Sequence, residues 1–147
     1  MVNLLLPNQK ITEKHQVELS EQIFSKGNWK IHKEVPLFSS SIDMVLIDEN
    51  KNVIAIEFKL KNWKRAISQV KKHCIAVDYM YICILKPKNK ETQHNIESVC
   101  KKEGTGLYYF YFDEEQNPCL LEAVKPQKSK YVWQKQRENL LSTLLLN

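Results

Sequence analysis

Three side chains in a short span of the sequence are suited to ionic chemistry: Asp43, Glu57 and Lys59. Glu57 and Lys59 belong to Ile56-Glu57-Phe58-Lys59, inside a run from Val53 to Leu60 that is rich in Ile and Val and reads as a β-strand. Alternation along a strand places Glu57 and Lys59 on one face and Ile54, Ile56, Phe58 and Leu60 on the other. A carboxylate and an ammonium on an otherwise apolar strand are unfavourable unless they are paired or hold a ligand. Asp43 lies in the preceding strand, Ile42 to Ile47, and the polar stretch Asp48-Glu49-Asn50-Lys51-Asn52 between the two predicts an antiparallel hairpin. With that loop Ile47 pairs with Val53, and Asp43 falls directly opposite Glu57. Opposed residues share a face, with Cβ atoms roughly 4.5–5.5 Å apart. Two carboxylates that close repel unless a proton or cation lies between them, and a hard divalent cation with oxygen ligands suits the position. A slip of one residue in register would send Asp43 to the other face. The alternative is plainer: Asp43 merely starts a strand, and Glu57 and Lys59 form an exposed ion pair on a solvated sheet face.

The elements that must position these groups can be read from periodicity and stop signals. Thr12 to about Lys26 predicts a helix with Thr12 as N-cap, an apolar stripe of Val17, Leu19, Ile23 and Phe24, and a stop at Gly27-Asn28. Trp29 to Val35 is extended and closed by Pro36, and the hairpin follows. Asn62 caps a second helix running to about Ala76, whose buried stripe is Trp63, Ala66, Ile67, Val70 and Cys74. Gln69 and His73 sit at the boundary of that stripe, and His73 reads as a half-buried surface residue. Tyr79 to Leu85, ended by Pro87, is almost wholly apolar, as befits a strand covered on both faces. A helix from Glu91 to Glu103 stops at Gly104 and Gly106, and strands follow at Leu107 to Phe112 and around Leu120 to Val124. A last helix spans Ser129 to Leu146. The order α-β-β-β-α-β-α-β-β-α predicts an α/β fold with a mixed central sheet flanked by helices, and 147 residues at 43% hydrophobic content suit one domain.

Asp43, then Glu57-Phe58-Lys59, then a helix carrying Gln69 resemble the core of the PD-(D/E)XK, or restriction-endonuclease-like, superfamily. The resemblance covers Thr12 to about Leu85. Glu34-Val35-Pro36, Ile42-Asp43-Met44-Val45 and Trp63-Lys64-Arg65-Ala66 are also similar to small stand-alone bacterial members. Ile42 stands where the family motif has proline, and nothing beyond Lys86 resembles the family. The resemblance implies an αβββαβ core over about residues 12–85, with a C-terminal α-β-β-α extension over 86–147. It implies a Mg²⁺-dependent hydrolase of phosphodiester bonds, with Mn²⁺ as a substitute. Asp43 and Glu57 would hold the metal together with the backbone carbonyl of Phe58. Lys59 would position or deprotonate the attacking water, or neutralise charge on the phosphate. Gln69 joins the catalytic set through the resemblance alone. Members often add an acid from the first helix, for which Glu13, Glu18 and Glu21 are candidates. Glu13 is favoured because it shares a helical face with Val17 and Phe24, against a bland role opposite the helix dipole. Glu34 is a further candidate.

Charge and the remaining motifs bear on partners. Lys+Arg number 22 against 17 Asp+Glu, a formal +5 compatible with nucleic acid. Lys64, Arg65, Lys71 and Lys72 cover the outer face of the second helix, either as salt-sensitive phosphate contacts or as a solvated face. DNA is the expected partner, with RNA open, and the implied role is an endonuclease in DNA repair or defence. The aromatic run Tyr108 to Phe112 suits base stacking, yet core packing explains it better. In the last helix Lys128, Lys130, Lys135 and Arg137 precede Leu140, Leu141, Leu144, Leu145 and Leu146, which either cap the core or form a homodimer seam. Two rival readings are a DNA-binding module of the same fold that is catalytically silent or acts only with a partner, and an interaction protein working through those leucines. Cys74, Cys83, Cys100 and Cys119 contain no C-x-x-C pair, so no zinc site is expected; Cys74 and Cys83 read as small buried hydrophobes. No signal peptide and no run of ~20 apolar residues is present, which predicts a cytoplasmic protein away from membranes.

Overall fold

Each apolar run becomes an element. The computed structural model describes residues 11–130 and 132–145. Along the chain lie α1 (Glu13–Phe24), β1 (Lys30–Leu37), β2 (Ser40–Ile47), β3 (Val53–Phe58), α2 (Trp63–Lys71), β4 (Tyr79–Leu85), α3 (Lys90–Glu103), β5 (Gly106–Phe112), β6 (Pro118–Val124) and α4 (Gln134–Leu145). The strands form one mixed sheet in chain order, β1-β2-β3-β4-β5-β6. β1, β2 and β3 are antiparallel neighbours, α2 and α3 return the chain so that β4 and β5 run parallel to β3, and β6 turns back antiparallel. The first six elements follow the α-β-β-β-α-β order that the family resemblance implies, and the extension adds β5 and β6 to the same sheet.

Strand periodicity sorts the core into two layers. Val53 and Ala55 of β3 face a cluster with Ala66, Ile67 and Val70 of α2, Ile96 of α3 and the leucines of α4. Ile54, Ile56 and Phe58 face the other side, against Leu19 and Phe24 of α1. Tyr109 and Phe110 divide between the two layers, so the aromatic run serves core packing. Leu140, Leu141 and Leu144 are buried in the chain's own core, Leu145 is 36% exposed, and Leu146 lies outside the described residues. Cys83 and Cys100 are buried, whereas Cys74 is only half-buried. No helix among the described residues is long and apolar enough to cross a membrane.

Several boundaries differ from expectation, among them the end of β3 at Phe58 and not Leu60, and three have a clear physical reason. β1 runs on through Pro36 to Leu37 because it lies at the sheet edge, where a missing N–H is tolerated. Regular α2 ends at Lys71 and not near Ala76, since the chain tightens into turns in which His73 N–H donates to Val70 O at 3.1 Å and Ala76 N–H to His73 O at 3.1 Å. Bonds of this spacing eclipse residues three apart, so His73 follows Val70 inward and is 2% exposed, where the periodicity of a continuing helix had suggested half-burial. The last helix begins at Gln134 and not Ser129 because the preceding N–H groups are engaged elsewhere: Ser129 donates to Asp78 O at 2.8 Å and Trp133 to Ile75 O at 2.7 Å.

A charged clasp between Asp78 and Arg137 fastens the extension to the core. Asp78, 3% exposed, accepts the N–H of Val53, the first residue of β3, at 2.8 Å. Arg137 Nε lies 3.0 and 2.9 Å from the two oxygens of the same carboxylate, and its Nη2 donates to Lys51 O at 2.8 Å. Removing the cation leaves a buried carboxylate without its counter-charge. Arg137→Ala is therefore expected to destabilise the fold by about 2–4 kcal/mol, read in urea as a lower transition midpoint at unchanged slope.

Candidate functional site

The site is built where the central hairpin ends. Its register is the predicted one: Ile47 with Val53, Leu46 with Ile54, Val45 with Ala55 and Met44 with Ile56. The loop is fixed by Asp48, whose carboxylate accepts the N–H groups of Asn50 and Asn52 at 2.9 and 2.8 Å. The ladder stops at Met44 and Ile56, one pair short of the expected opposition of Asp43 and Glu57. Here β2 loses its alternation: Met44 and Leu46 face α1, while Ile42 packs with Val45 and Ile47 on the other side. Across from this slip, Glu34 adopts φ +50° and drops out of the β1–β2 pairing between Lys33–Met44 and Val35–Ile42. A non-glycine residue in that region is strained and is held there by its surroundings.

The slip gives Asp43 a different role from a simple cross-strand partner. Its Oδ2 accepts the N–H of Phe58 at 2.8 Å, in the place where a ladder carbonyl would otherwise accept. The two carboxylates still meet, because Asp43 and Glu57 line one cavity of about 350 Å³. Glu13, Lys59 and Gln69 border the same cavity, so the five residues singled out from the sequence are brought together. Glu13 stands exposed at the mouth, its side chain shared with a second cleft that Glu18 and Glu34 also line. Glu21 is instead paired with Lys33 at 3.1 Å. Of the four cations proposed for nucleic acid, Lys72 alone borders the cavity. Lys64 lies 5.6 Å from the ring centre of Trp63, Lys71 is paired with Glu103, and Arg65 is exposed in the first turn of α2.

The electrostatics are dominated by burial. Glu57 is 3% exposed, and its Oε1 has no hydrogen-bond partner among the described residues. Burial first, then the charge of Asp43 and a hydrogen bond with it, push its carboxyl up to about 8, and Lys59 only partly offsets this. His73 is held below the usual histidine range by burial and by Lys72, with Asp43 opposing. Two neighbouring carboxylates, one of them buried, fit a hard cation between them. Among the described residues no set of three or more His, Cys, Asp and Glu converges as a ready cage. A cation held by Asp43 and Glu57 would therefore complete its shell with peptide carbonyls, water or substrate oxygens.

Several residues at the site were not singled out from the sequence. Ser40, Ser41 and His73 line the cavity. Gln16 is fully buried and directs its Nε2 to the carbonyls of Lys59 and Cys83, 3.4 Å from each, steadying the strand ends next to Lys59. The buried face of α1 is Gln16, Leu19, Ser20 and Phe24: Leu19 and Phe24 of the expected stripe lie on it, Val17 packs only at its edge, Ile23 is half-buried, and Gln16 and Ser20 join it. The available signals were spacing alone: Gln16 lies a helical turn before Leu19 and Ser20, and His73 lies three residues after Val70.

No protein-family model and no curated protein matches the sequence. Among solved structures, a protein of unknown function from Silicibacter pomeroyi is similar over 94% of this chain and 87% of that one, with a TM-score of 0.63 at 11% identity. A repair endonuclease from Pyrococcus abyssi is similar over 69% and 48%, with a TM-score of 0.49 at 15% identity. EndoMS in complex with double-stranded DNA gives 70% and 47%, with a TM-score of 0.47 at 13% identity. The first likeness shows a shared fold; the other two superpose too loosely to bear on function.

The raised carboxyl has a consequence for stability without metal. Folded chains keep a proton on Glu57 that unfolded chains release, between the ordinary glutamate value of 4.5 and about 8. Its contribution is therefore full below about 4.5 and is lost as pH rises through about 8. In EDTA, the melting temperature of the wild type relative to Glu57→Gln should fall by roughly 5–10 °C from pH 5 to pH 8. A flat difference across that range would contradict the proposed burial of an acid at this position.

Proposed function

We propose that the chain is a metal-dependent nuclease that hydrolyses phosphodiester bonds, with DNA as the favoured substrate and internal cutting as the favoured mode. The observation that carries this reading is one cavity holding Asp43, Glu57 and Lys59 together, with the Glu57 carboxyl buried beside Asp43. Asp43 and Glu57 are the proposed ligands of Mg²⁺ or Mn²⁺, with the Phe58 carbonyl as a third. When bound, such an ion polarises the scissile phosphate and lowers the pKa of a water molecule. The chain's own residues supply the rest. Lys59, just beyond the end of β3, offers an ammonium to the equatorial phosphate oxygens or to the attacking water. Gln69 and Lys72, one turn of helix onward, border the same space and suit the phosphate next to the reacting one. Glu13 at the mouth is the proposed additional acid.

Preference for a polyanion is supported by the formal charge of +5 and by Lys59 and Lys72, which border the cavity. Phosphate contacts are proposed for Lys64, Arg65, Lys71 and Lys72, with Lys72 the most direct. Pairing of two copies along α4, which would suit cutting of both strands, would have to use outward residues such as Leu145, because Leu140, Leu141 and Leu144 face the core.

The test is cleavage of supercoiled plasmid, linear duplex and single-stranded DNA in Mg²⁺, Mn²⁺ and EDTA. Cutting is expected only with metal, and Asp43→Ala and Lys59→Ala should each lower the rate by about 10³-fold or more while leaving the melting curve cooperative. Absence of cutting on every substrate, with salt-sensitive DNA binding that survives both substitutions, would replace this reading with that of a binding module. Lys72→Ala should raise KM and reduce the salt dependence of binding by about one counterion. Lys71→Ala, whose cation is already engaged by Glu103, should change the salt dependence far less.

A further inference from the structure

We infer that His73 is a positioning residue for Glu57, with Ser40 setting the tautomer of its ring so that Nδ1–H is aimed at the buried carboxylate. The geometry is a short chain through the cavity wall. Ser40 Oγ lies 3.0 Å from His73 Nε2, and His73 Nδ1 lies 3.8 Å from Glu57 Oε1. Those last two atoms are both buried, face one another, and have no hydrogen-bond partner among the described residues. Their separation is too short for an intervening water, and a side-chain movement of under ~1 Å brings it into hydrogen-bonding range.

With Glu57 ionised, as it is when it holds a cation, the chemistry selects one arrangement. A neutral imidazole carries its proton on one nitrogen. If His73 donated to Ser40 through Nε2, its Nδ1 lone pair would face an ionised carboxylate oxygen with nothing between them, a repulsive contact in a poorly solvated place. If Ser40 donates its hydroxyl proton to Nε2, the proton sits on Nδ1 and points at Glu57. The ring itself cannot drift to solvent: it is 2% exposed and is held by the tight turn that follows α2. With one Glu57 oxygen held by His73, the other is left to face Asp43 and the cavity. Ser40, at the start of β2, and His73, beyond α2, thus connect two separate elements to the end of β3. Groups that hold a ligating side chain in this way typically change metal affinity 10–100-fold when removed.

This inference rests on the reading of Glu57 as a metal ligand, so its test has one arm that needs no metal. In the metal-free protein at pH 9, above the value of about 8 to which Glu57 is pushed, ¹⁵N spectra of the imidazoles should show His73 as the Nδ1–H tautomer, shifting towards Nε2–H in Ser40→Ala. An Nε2–H tautomer in the wild type would overturn the inference whatever the protein's activity. The second arm is Mn²⁺ affinity by paramagnetic resonance titration. His73→Asn, whose amide can replace the Nδ1 donor, should stay within about three-fold of wild type, while His73→Gln and His73→Ala should lose about ten-fold or more. Melting curves confirm that each variant folds. Equal losses in the Asn and Gln variants would refute the positioning role while leaving the nuclease reading intact. A wild type that binds no Mn²⁺ and cuts no DNA would remove the nuclease reading, and the tautomer would still decide whether His73 holds Glu57.

Discussion

At the end of β3 a carboxylate that is 3% exposed sits beside a second one, and Lys59 only partly offsets their repulsion. Like charges in a poorly solvated place persist only with a proton or a cation between them, and the surrounding architecture can be understood from that constraint. Asp43 is anchored through the Phe58 N–H, so it is fixed to the strand that carries its neighbour. Lys59 follows on the same strand end, where Gln16 holds the backbone by its carbonyl. The slip in β2 and the left-handed Glu34 opposite it are the local distortions that turn Asp43 out of the ladder and into the cavity.

The rest of the fold makes that arrangement rigid. β3 is central, flanked by antiparallel β2 and parallel β4, and its six residues are all buried. α1 closes one side and α2 with α4 closes the other, so neither face of the strand can relax toward water. At its C-terminal end the strand reaches a cavity, and that is where the ionisable groups gather. A site on the end of a packed strand keeps its geometry better than one on a loop.

Much of this was legible in the sequence because it is carried by periodicity. The runs Val53 to Phe58 and Tyr79 to Leu85, the caps at Thr12 and Asn62 and the hairpin loop are local signals, and the structure follows them. Asp43, Glu57, Lys59, Glu13 and Gln69 were also recognisable, through strand parity and a family pattern, and they do meet in one cavity. What escaped depended on non-local geometry. The break in alternation at Asp43 leaves no mark on composition, since Ile42, Met44 and Val45 are all buried apolar residues on whichever face they lie. His73 was misplaced because burial there follows from a tightened turn, and Gln16 because a polar residue on an inner face looks like an exception until its carbonyl partners are known.

The clasp between Asp78 and Arg137 links residues 59 apart in the chain. On a ribosome the acid therefore emerges long before its counter-charge, and β3 would be present in the nascent chain while the carboxylate bonded to its first N–H still lacked a cation. Water can solvate that carboxylate only if the segment stays open, so closure over the start of β3 is favoured once α4 arrives. Because the same strand carries Glu57 and leads directly into Lys59, the cavity would acquire its final form only once α4 has docked.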